Sequence, residues 1–149
     1  MDSRKETVRK AIAIQNPERI PLLYAKSLEK SDIINIPVVR HFIGPDKNVS
    51  EWGFTWMHLD NELLMGQPDI NGIEEMGKRF GGRICFSCPV SYQTTGITGT
   101  DDEIKRQIEL YKKHFNRGGG LIGIIPEDSA ALGITPEKFK VMEEAFMAK

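Results

Sequence analysis

The fold of this chain is decided by residues 80–125, FGGRICFSCPVSYQTTGITGTDDEIKRQIELYKKHFNRGGGLIGII. Two apolar segments within it, residues 83–90 and 121–125, have the composition of strands. The second has no polar interruption, which is typical of a strand buried on both faces. A helix-like segment lies between them and ends at three consecutive glycines, residues 118–120. Strand, helix and strand in this order predict two parallel strands joined by a right-handed crossover.

The helix between these strands is predicted from its first turn and its periodicity. Thr100 and Glu103 have the spacing of a capping box. Apolar residues then recur along one helix face: Ile104, Ile108, Tyr111 and Phe115. Residues 91–98 are predicted to form a polar loop. Further helices are expected at 71–80 and after Thr135-Pro136, where a proline suits the first helical position.

The first half of the chain gives weaker signals. A capping box at residues 3–6 predicts a helix that ends at Asn16-Pro17, because the residue before a proline disfavours helical backbone. Residues 20–24 are expected to form a short strand, and residues 33–42 a poorer one. Residues 52–57 are aromatic and predicted to be extended.

Composition restricts the class of protein. Lys and Arg number 20 against 21 Asp and Glu, so the chain lacks the basic excess of a nucleic-acid-binding surface. No apolar run approaches the roughly 20 residues of a membrane span, and the first ten residues are unlike a signal peptide. We therefore expect one cytoplasmic domain over residues 1–149, with an irregular part at 1–70 and a regular part at 71–149, and neither nucleic acid nor membrane as a partner.

The two cysteines have the spacing of a metal or redox pair but are expected to be core residues. Cys85 and Cys88 are separated by two residues, and no second such pair supplies the remaining ligands of a structural zinc. Residues three apart on a strand also point to opposite faces. The sequence therefore predicts small core side chains rather than a metal site.

Several stretches of the chain resemble the uroporphyrinogen decarboxylase family, which includes corrinoid-dependent methyltransferases. The carboxyl-terminal half carries four landmarks of that family in order: Phe80-Gly81-Gly82-Arg83, Gly99-Thr100, the glycines at 118–120, and Thr135-Pro136-Glu137. Residues 4–23, RKETVRKAIAIQNPERIPLL, resemble its first helix and strand. Residues 50–60, SEWGFTWMHLD, and 65–69, MGQPD, resemble a later segment.

The resemblance implies a (β/α)8 TIM-barrel-like fold that this chain is too short to complete. Such a barrel needs on the order of 200–250 residues, against the 149 present. The middle of the barrel is absent near residues 69–72, which predicts an open half-barrel of parallel strands with two unpaired edges. Folded proteins rarely expose such edges. We therefore expect a homodimer in which a second subunit completes or covers them.

Candidate site residues follow from the rule that functional groups in parallel barrels lie beyond the carboxyl ends of strands. Counted from Arg19, the two arginines with which the family's decarboxylases hold substrate carboxylates fall on Lys26 and Lys30. Lysine keeps the charge but not the planar fork of arginine, and both lysines also fit a solvated loop. The other candidates follow the later strands: Ser91, Tyr92, Gln93, Glu127 and Asp128.

We assign these candidates two roles. Lys26, Lys30 and Gln93 are the candidate substrate-binding residues, with the lysines anchoring substrate carboxylates. Tyr92, Glu127 and Asp128 are the candidate catalytic residues. Glu127 and Asp128 could act as acid and base if their pKa values were driven apart, or could equally form a plain turn.

Two functions stay open. If the chain is an enzyme, the resemblance implies a lyase that decarboxylates a tetrapyrrole, or a corrinoid-linked methyltransferase. A corrinoid is the only cofactor that the resemblance suggests. The alternative is a non-catalytic binding or assembly module. It is favoured by the missing histidine, since Ile125-Pro126-Glu127-Asp128 replaces the family's Gly-His-Gly motif, by lysine in place of the two arginines, and by the missing middle of the barrel. Asp60 lies near the position of the family's aspartate but not in a matching context.

Overall fold

The computed structural model describes residues 2–34, 42–43, 49–50, 72–91, 94–127 and 133–148. The chain forms two compact units, residues 1–34 with 66–149, and residues 35–65. In chain order the elements are α1 (Arg4–Ile12), β1 (Leu22–Tyr24), β2 (Phe42–Ile43), β3 (Val49–Ser50), α2 (Ile73–Phe80), β4 (Phe86–Pro89), α3 (Thr95–Thr98), α4 (Asp101–Phe115), a 3-10 turn (Arg117–Gly119), β5 (Leu121–Ile125) and α5 (Pro136–Met147). In the smaller unit, β2 and β3 pair in antiparallel fashion.

The larger unit is built on a three-stranded parallel sheet in the order β1-β5-β4. Gly123 in the central strand is level with Leu22 of β1 and with Cys88 of β4. A side chain at Gly123 would press on Leu22 and on Phe146 of α5, so glycine lets that helix lie close to the sheet. The predicted mixed α/β class with parallel strands is confirmed. The sheet is small and open.

The core lies between this sheet and helices α4 and α5. The predicted apolar face of α4 is fully buried: Ile104, Ile108, Tyr111 and Phe115 each have 0% of their surface exposed. The ring of Phe115 stacks on that of Phe86 in β4 with a centroid distance of 4.2 Å. Both halves of the predicted capping box form, with the Thr100 hydroxyl accepting from the backbone of Glu103 and the carboxylate of Glu103 accepting in return. The periodicity of α4 therefore predicted the core correctly.

The free edge of β1 is covered by the chain itself. The N–H of Leu22 donates to Asp32 Oδ2 at 2.9 Å, and the N–H of Asp32 donates to the carbonyl of Leu22 at 2.9 Å. The N–H of Tyr24 donates to Ser31 Oγ at 3.0 Å. Ser31 and Asp32 thus replace a neighbouring strand, which corrects the expectation of two unpaired edges. β4 forms the other edge, with no strand partner in the part of the chain that is described.

Arg19 and Asp32 fix this edge cover in place. The Arg19 guanidinium donates to both Asp32 oxygens, with Nη1 to Oδ2 and Nη2 to Oδ1 each at 2.6 Å. The side chain of Asp32 is only 2% exposed. Burial alone would raise the pKa of Asp32, but the hydrogen bonds from Arg19 and from the N–H of Leu22 outweigh it and lower that pKa below 3.8.

Two local predictions need correction. Helix α1 ends at Ile12, before the predicted stop at Asn16-Pro17. Ile14 and Asn16 take positive φ angles of 56° and 46°, which are incompatible with a continuing helix. The N–H of Asn16 instead donates to the carbonyl of Gly118 at 2.8 Å. The predicted polar loop at 91–98 contains the short helix α3, closed by a 3.0 Å bond from the N–H of Thr98 to the carbonyl of Thr94.

α4 ends at Phe115 with Asn116 as its C-cap, before the triple glycine that was expected to stop it. The glycines let the segment after α1 pack closely against this turn. Gly118 and Gly119 take left-handed φ angles of 67° and 83°, and a Cβ on Gly119 would overlap the ring of Pro17. Most of the predicted strand 33–42 and the whole extended segment 52–57 lie outside the described residues. Among the helices that are described, none has both the length and the apolar character to cross a membrane.

Candidate functional site

The carboxyl ends of β1 and β5 lie side by side, because the two strands are parallel neighbours in the sheet. Tyr24 and Ile125 are the last residues of these strands and are level with each other. The N–H of Ala25 donates to the carbonyl of Ile125 at 3.2 Å. Parallel pairing therefore brings the residues that follow β1 next to Glu127, about a hundred positions later in the chain.

Glu127 joins the two loops through its carboxylate. Its Oε2 accepts hydrogen bonds from the N–H of Lys26 at 3.0 Å and from the N–H of Ser27 at 2.6 Å. Its Oε1 accepts from the Ser27 hydroxyl at 2.7 Å. Both oxygens of this half-buried side chain are therefore held by the loop after β1.

These hydrogen bonds keep Glu127 ionised. Partial burial by itself would raise the pKa of Glu127, but the hydrogen bonds from Ser27 and Lys26 and the charge of Lys30 lower it below 4.5. A carboxylate in this state is a hydrogen-bond acceptor at neutral pH and has no proton to donate.

The two predicted lysines are the exposed charges of the same loop. Residues 27–31 form a tight turn, in which the N–H groups of Lys30 and Ser31 both donate to the carbonyl of Ser27, at 3.0 and 3.2 Å. Lys26 and Lys30 are exposed, and neither ammonium pairs with a carboxylate among residues 2–34, 72–91, 94–127 or 133–148. Lys30 Nζ lies 6.0 Å from the ring centroid of Tyr24.

An open groove of about 510 Å³ separates this loop from α5. Lys30 and Glu127 line one side, and α5 supplies the other: Pro136, Phe139, Lys140, Glu143, Glu144 and Met147. Lys140 and Glu144 form an exposed pair at 3.8 Å. The groove therefore combines an apolar strip with charges of both signs.

Tyr24, the last residue of β1, contacts Glu143 and lies near Lys30, which both line the groove. It is 5% exposed, and both its burial and its hydrogen bond with Glu143 raise the pKa of its phenol. The Tyr24 hydroxyl therefore stays protonated at neutral pH.

At the carboxyl end of β4 the structure shows a buried polar contact rather than a free group. The N–H of Ser91 donates to Gln107 Oε1 at 3.3 Å, and Ser91 Oγ lies 2.9 Å from Thr94 Oγ1. The candidates Tyr92, Gln93 and Asp128 lie outside the described residues. Of the predicted site residues, the structure thus brings together Lys26, Lys30 and Glu127.

Two members of the site were missed by sequence reasoning. Ser27 directly follows Lys26 at the end of β1, so its position was a usable signal. Glu143 lies in the middle of α5, and nothing in the local sequence indicates that it faces Tyr24. Its role depends on how α5 packs against the sheet.

Of the two cysteines, only Cys88 is the buried core residue that the sequence predicts. Both are free, Cys88 is buried and Cys85 is half-buried. Burial, with a smaller contribution from Cys85, raises the pKa of the Cys88 thiol to about 12, which leaves it unreactive at neutral pH. Within the described ranges, no three His, Cys, Asp or Glu side chains are grouped as they would be to hold a metal ion.

Comparison with known proteins gives no relative: no family model, no curated protein and no solved structure matches this chain. The fold and the site therefore define only the structural class of the larger unit. The larger unit is an α/β structure with an open parallel sheet and a charged groove beside the carboxyl ends of two of its strands.

Proposed function

We propose that this chain is a uroporphyrinogen decarboxylase-like partial (β/α)8 barrel that binds a carboxylate-bearing tetrapyrrole, or a corrinoid, beside the carboxyl ends of β1 and β5. The strand order supports the barrel. In a closed barrel the last strand lies between the first strand and the penultimate one. In this sheet β5 lies between β1 and β4, and all three are parallel.

One observation carries the choice of ligand. Lys26 and Lys30 carry exposed ammonium groups in the loop after β1, and they have no carboxylate partner in the described part of the protein. The strand end is where barrel proteins bind substrates. A ligand with several carboxylates could use both lysines, while Phe139 and Met147 in the adjacent groove offer apolar contact for a flat ring.

The geometry favours binding over proton transfer at the residues that are described. Glu127 is ionised and has both oxygens engaged with residues 26 and 27. It would have to give up hydrogen bonds before it could act as a base. This supports the non-catalytic binding module. In the enzymatic alternative the lysines would anchor the ligand and Tyr92 or Asp128 would handle the proton, in a lyase or a corrinoid-linked methyltransferase.

The proposed homodimer uses the edge of β4. Ser31 and Asp32 already cover the edge of β1, so a second copy is needed only at the opposite edge of the sheet, which β4 forms. A monomer at micromolar concentration in sedimentation velocity would exclude this dimer. Two reduced cysteines also fit the cytoplasmic location that we propose.

A titration with uroporphyrin, an octacarboxylic porphyrin, tests the proposed function. We expect binding, measured by porphyrin fluorescence anisotropy, to weaken about tenfold in a Lys26→Ala, Lys30→Ala double variant, because each exposed charge pair contributes up to about 1 kcal/mol. Rising salt should weaken wild-type binding in the same way. A parallel titration with cobalamin, followed by its absorbance, tests the corrinoid.

The matched control removes two exposed lysines from other parts of the surface. Lys5 lies on α1 and Lys105 on α4, and both are exposed. A Lys5→Ala, Lys105→Ala variant should bind like the wild type. The proposal fails if neither ligand binds the wild type, or if the control variant loses as much affinity as the Lys26 and Lys30 variant.

A further inference from the structure

The carboxylate of Glu127 occupies a small site built from donors that are suited to any carboxylate. Two successive N–H groups, of Lys26 and Ser27, converge on Oε2 at 3.0 and 2.6 Å. The hydroxyl of Ser27 donates to Oε1 at 2.7 Å. Successive backbone N–H groups that converge in a turn form a recurrent binding site for anions.

The Glu127 side chain links these donors to the groove beside α5. Glu127 and Lys30 both line that groove, and Glu127 is only half-buried. Burial opposes ionisation of Glu127, but its hydrogen bonds with Ser27 and Lys26, with a smaller contribution from the Lys30 charge, lower its pKa. A ligand carboxylate that displaced Glu127 would therefore meet the same three donors, near the charge of Lys30.

We infer that the N–H groups of Lys26 and Ser27, with the Ser27 hydroxyl, form the subsite for a ligand carboxylate, and that Glu127 fills this subsite as an internal competitor until the ligand displaces it. The exchange conserves hydrogen bonds, because one carboxylate replaces another on the same donors. The displaced Glu127 side chain can turn towards water in the groove. The inference deepens the proposed function, on which it rests for the class of ligand.

The alternative role for Glu127 is to position the loop, and the two roles predict effects of opposite sign. If Glu127 competes with the ligand, Glu127→Ala leaves the donors vacant, and a small carboxylate should bind more tightly. If Glu127 only positions Lys26 and Ser27, the same variant should bind it more weakly. Glu127→Gln keeps the size of the side chain and removes its charge, so competition predicts an intermediate affinity.

The test is a titration with sodium acetate at constant ionic strength, followed by the amide signals of Lys26 and Ser27 in ¹H–¹⁵N spectra. In Glu127→Ala we expect these two amides to move upfield, because they lose their acceptor, and acetate to move them back downfield. The acetate affinity should be about tenfold higher than in the wild type, because a hydrogen-bonded anion no longer has to be displaced.

The matched control is Glu144→Ala, which removes one negative charge from the same groove without touching the three donors. It should bind acetate like the wild type. The inference is overturned if Glu144→Ala tightens binding as much as Glu127→Ala, or if acetate does not move the Lys26 and Ser27 amides. If Glu127→Ala does not fold, Glu127→Gln decides by the same readout, and an affinity no higher than that of the wild type overturns the inference.

The two proposals can fail separately. Suppose that uroporphyrin does not bind the wild type, but acetate restores the amide signals in Glu127→Ala. This result would refute the proposed function and support the subsite. Uroporphyrin binding that depends on Lys26 and Lys30, without any effect of acetate on those amides, would refute the subsite alone.

Discussion

Replacing Asp32 by asparagine should destabilise the protein, because this side chain takes the place of a neighbouring strand at the edge of β1. Asp32 accepts two hydrogen bonds from Arg19 at 2.6 Å and one from the N–H of Leu22 at 2.9 Å. Asparagine has nearly the same shape and keeps one acceptor oxygen. It loses the charge, and its NH₂ group meets a donor of Arg19.

The size of the effect follows from burial. Removing one partner of a buried ion pair costs about 3–5 kcal/mol. The Asp32 side chain is 2% exposed, whereas Arg19 is 28% exposed and can regain part of its hydration. We therefore expect Asp32→Asn to lower the free energy of unfolding by about 3 kcal/mol, at the lower end of that range.

Urea unfolding at pH 7, followed by far-UV circular dichroism, measures this loss. With a slope of about 2 kcal/mol per molar urea, the midpoint should fall by about 1.5 M. The control is Glu144→Gln, which breaks an exposed pair at 3.8 Å and should change the free energy of unfolding by less than about 0.5 kcal/mol.

A double-mutant cycle shows whether the stability lost in Asp32→Asn comes from the ion pair with Arg19. In an Arg19→Met background, Asp32→Asn should cost much less, because the guanidinium that it would leave unpaired is absent. The reasoning is refuted if Asp32→Asn changes the free energy of unfolding of the otherwise wild-type chain by under about 1 kcal/mol. It is refuted equally if the substitution costs as much in the Arg19→Met background as in the presence of the arginine.

Two further predictions concern pH and a buried histidine. The pKa values of Asp32 and Glu127 are lowered on folding, so the stability that they contribute is present above their ordinary values of 3.8 and 4.5 and is lost as the pH falls through the folded-state values. Urea midpoints at pH 7 and below pH 3.8 should differ less in the Asp32→Asn variant than in the wild type, and an equal difference would contradict this assignment. His114 is 9% exposed, and neither ring nitrogen has a hydrogen-bond partner in the described structure. His114→Leu should raise the free energy of unfolding by about 1 kcal/mol, because it removes unpaired polar atoms from the core. A urea midpoint lower than that of the wild type would contradict this prediction and indicate that the ring nitrogens have hydrogen-bond partners.

The elements with strong local signals could be predicted from the sequence. The strand at residues 121–125 has the bounds that its apolar run indicates, and α4 begins after the capping residue Thr100. The spacing of the apolar residues of α4 also predicted which of its side chains are buried. Caps, periodicity and glycine stops act over a few residues, so the sequence contains all the information they need.

Position at a strand end identified part of the candidate site. Lys26 was predicted because it follows a predicted strand, and Glu127 because it follows the last one, whereas Lys30 came from the count that the family resemblance implies. What Glu127 does could not be predicted, since its three donors belong to residues 26 and 27 at the other end of the chain. That contact exists only because β1 pairs with β5.

The local elements of this protein were therefore determined by the sequence itself: the strands around Phe86 and Ile122, the helix between them, and the charges at the strand ends. Only the tertiary structure decided how the free edge of β1 is covered and which group occupies the donors beside Lys26. Asp32 and Glu127 are ordinary acidic residues in ordinary loops, and nothing near them in the chain indicates their partners. Their roles arise from backbone groups that lose water when the sheet forms and must then find an acceptor or donor in space.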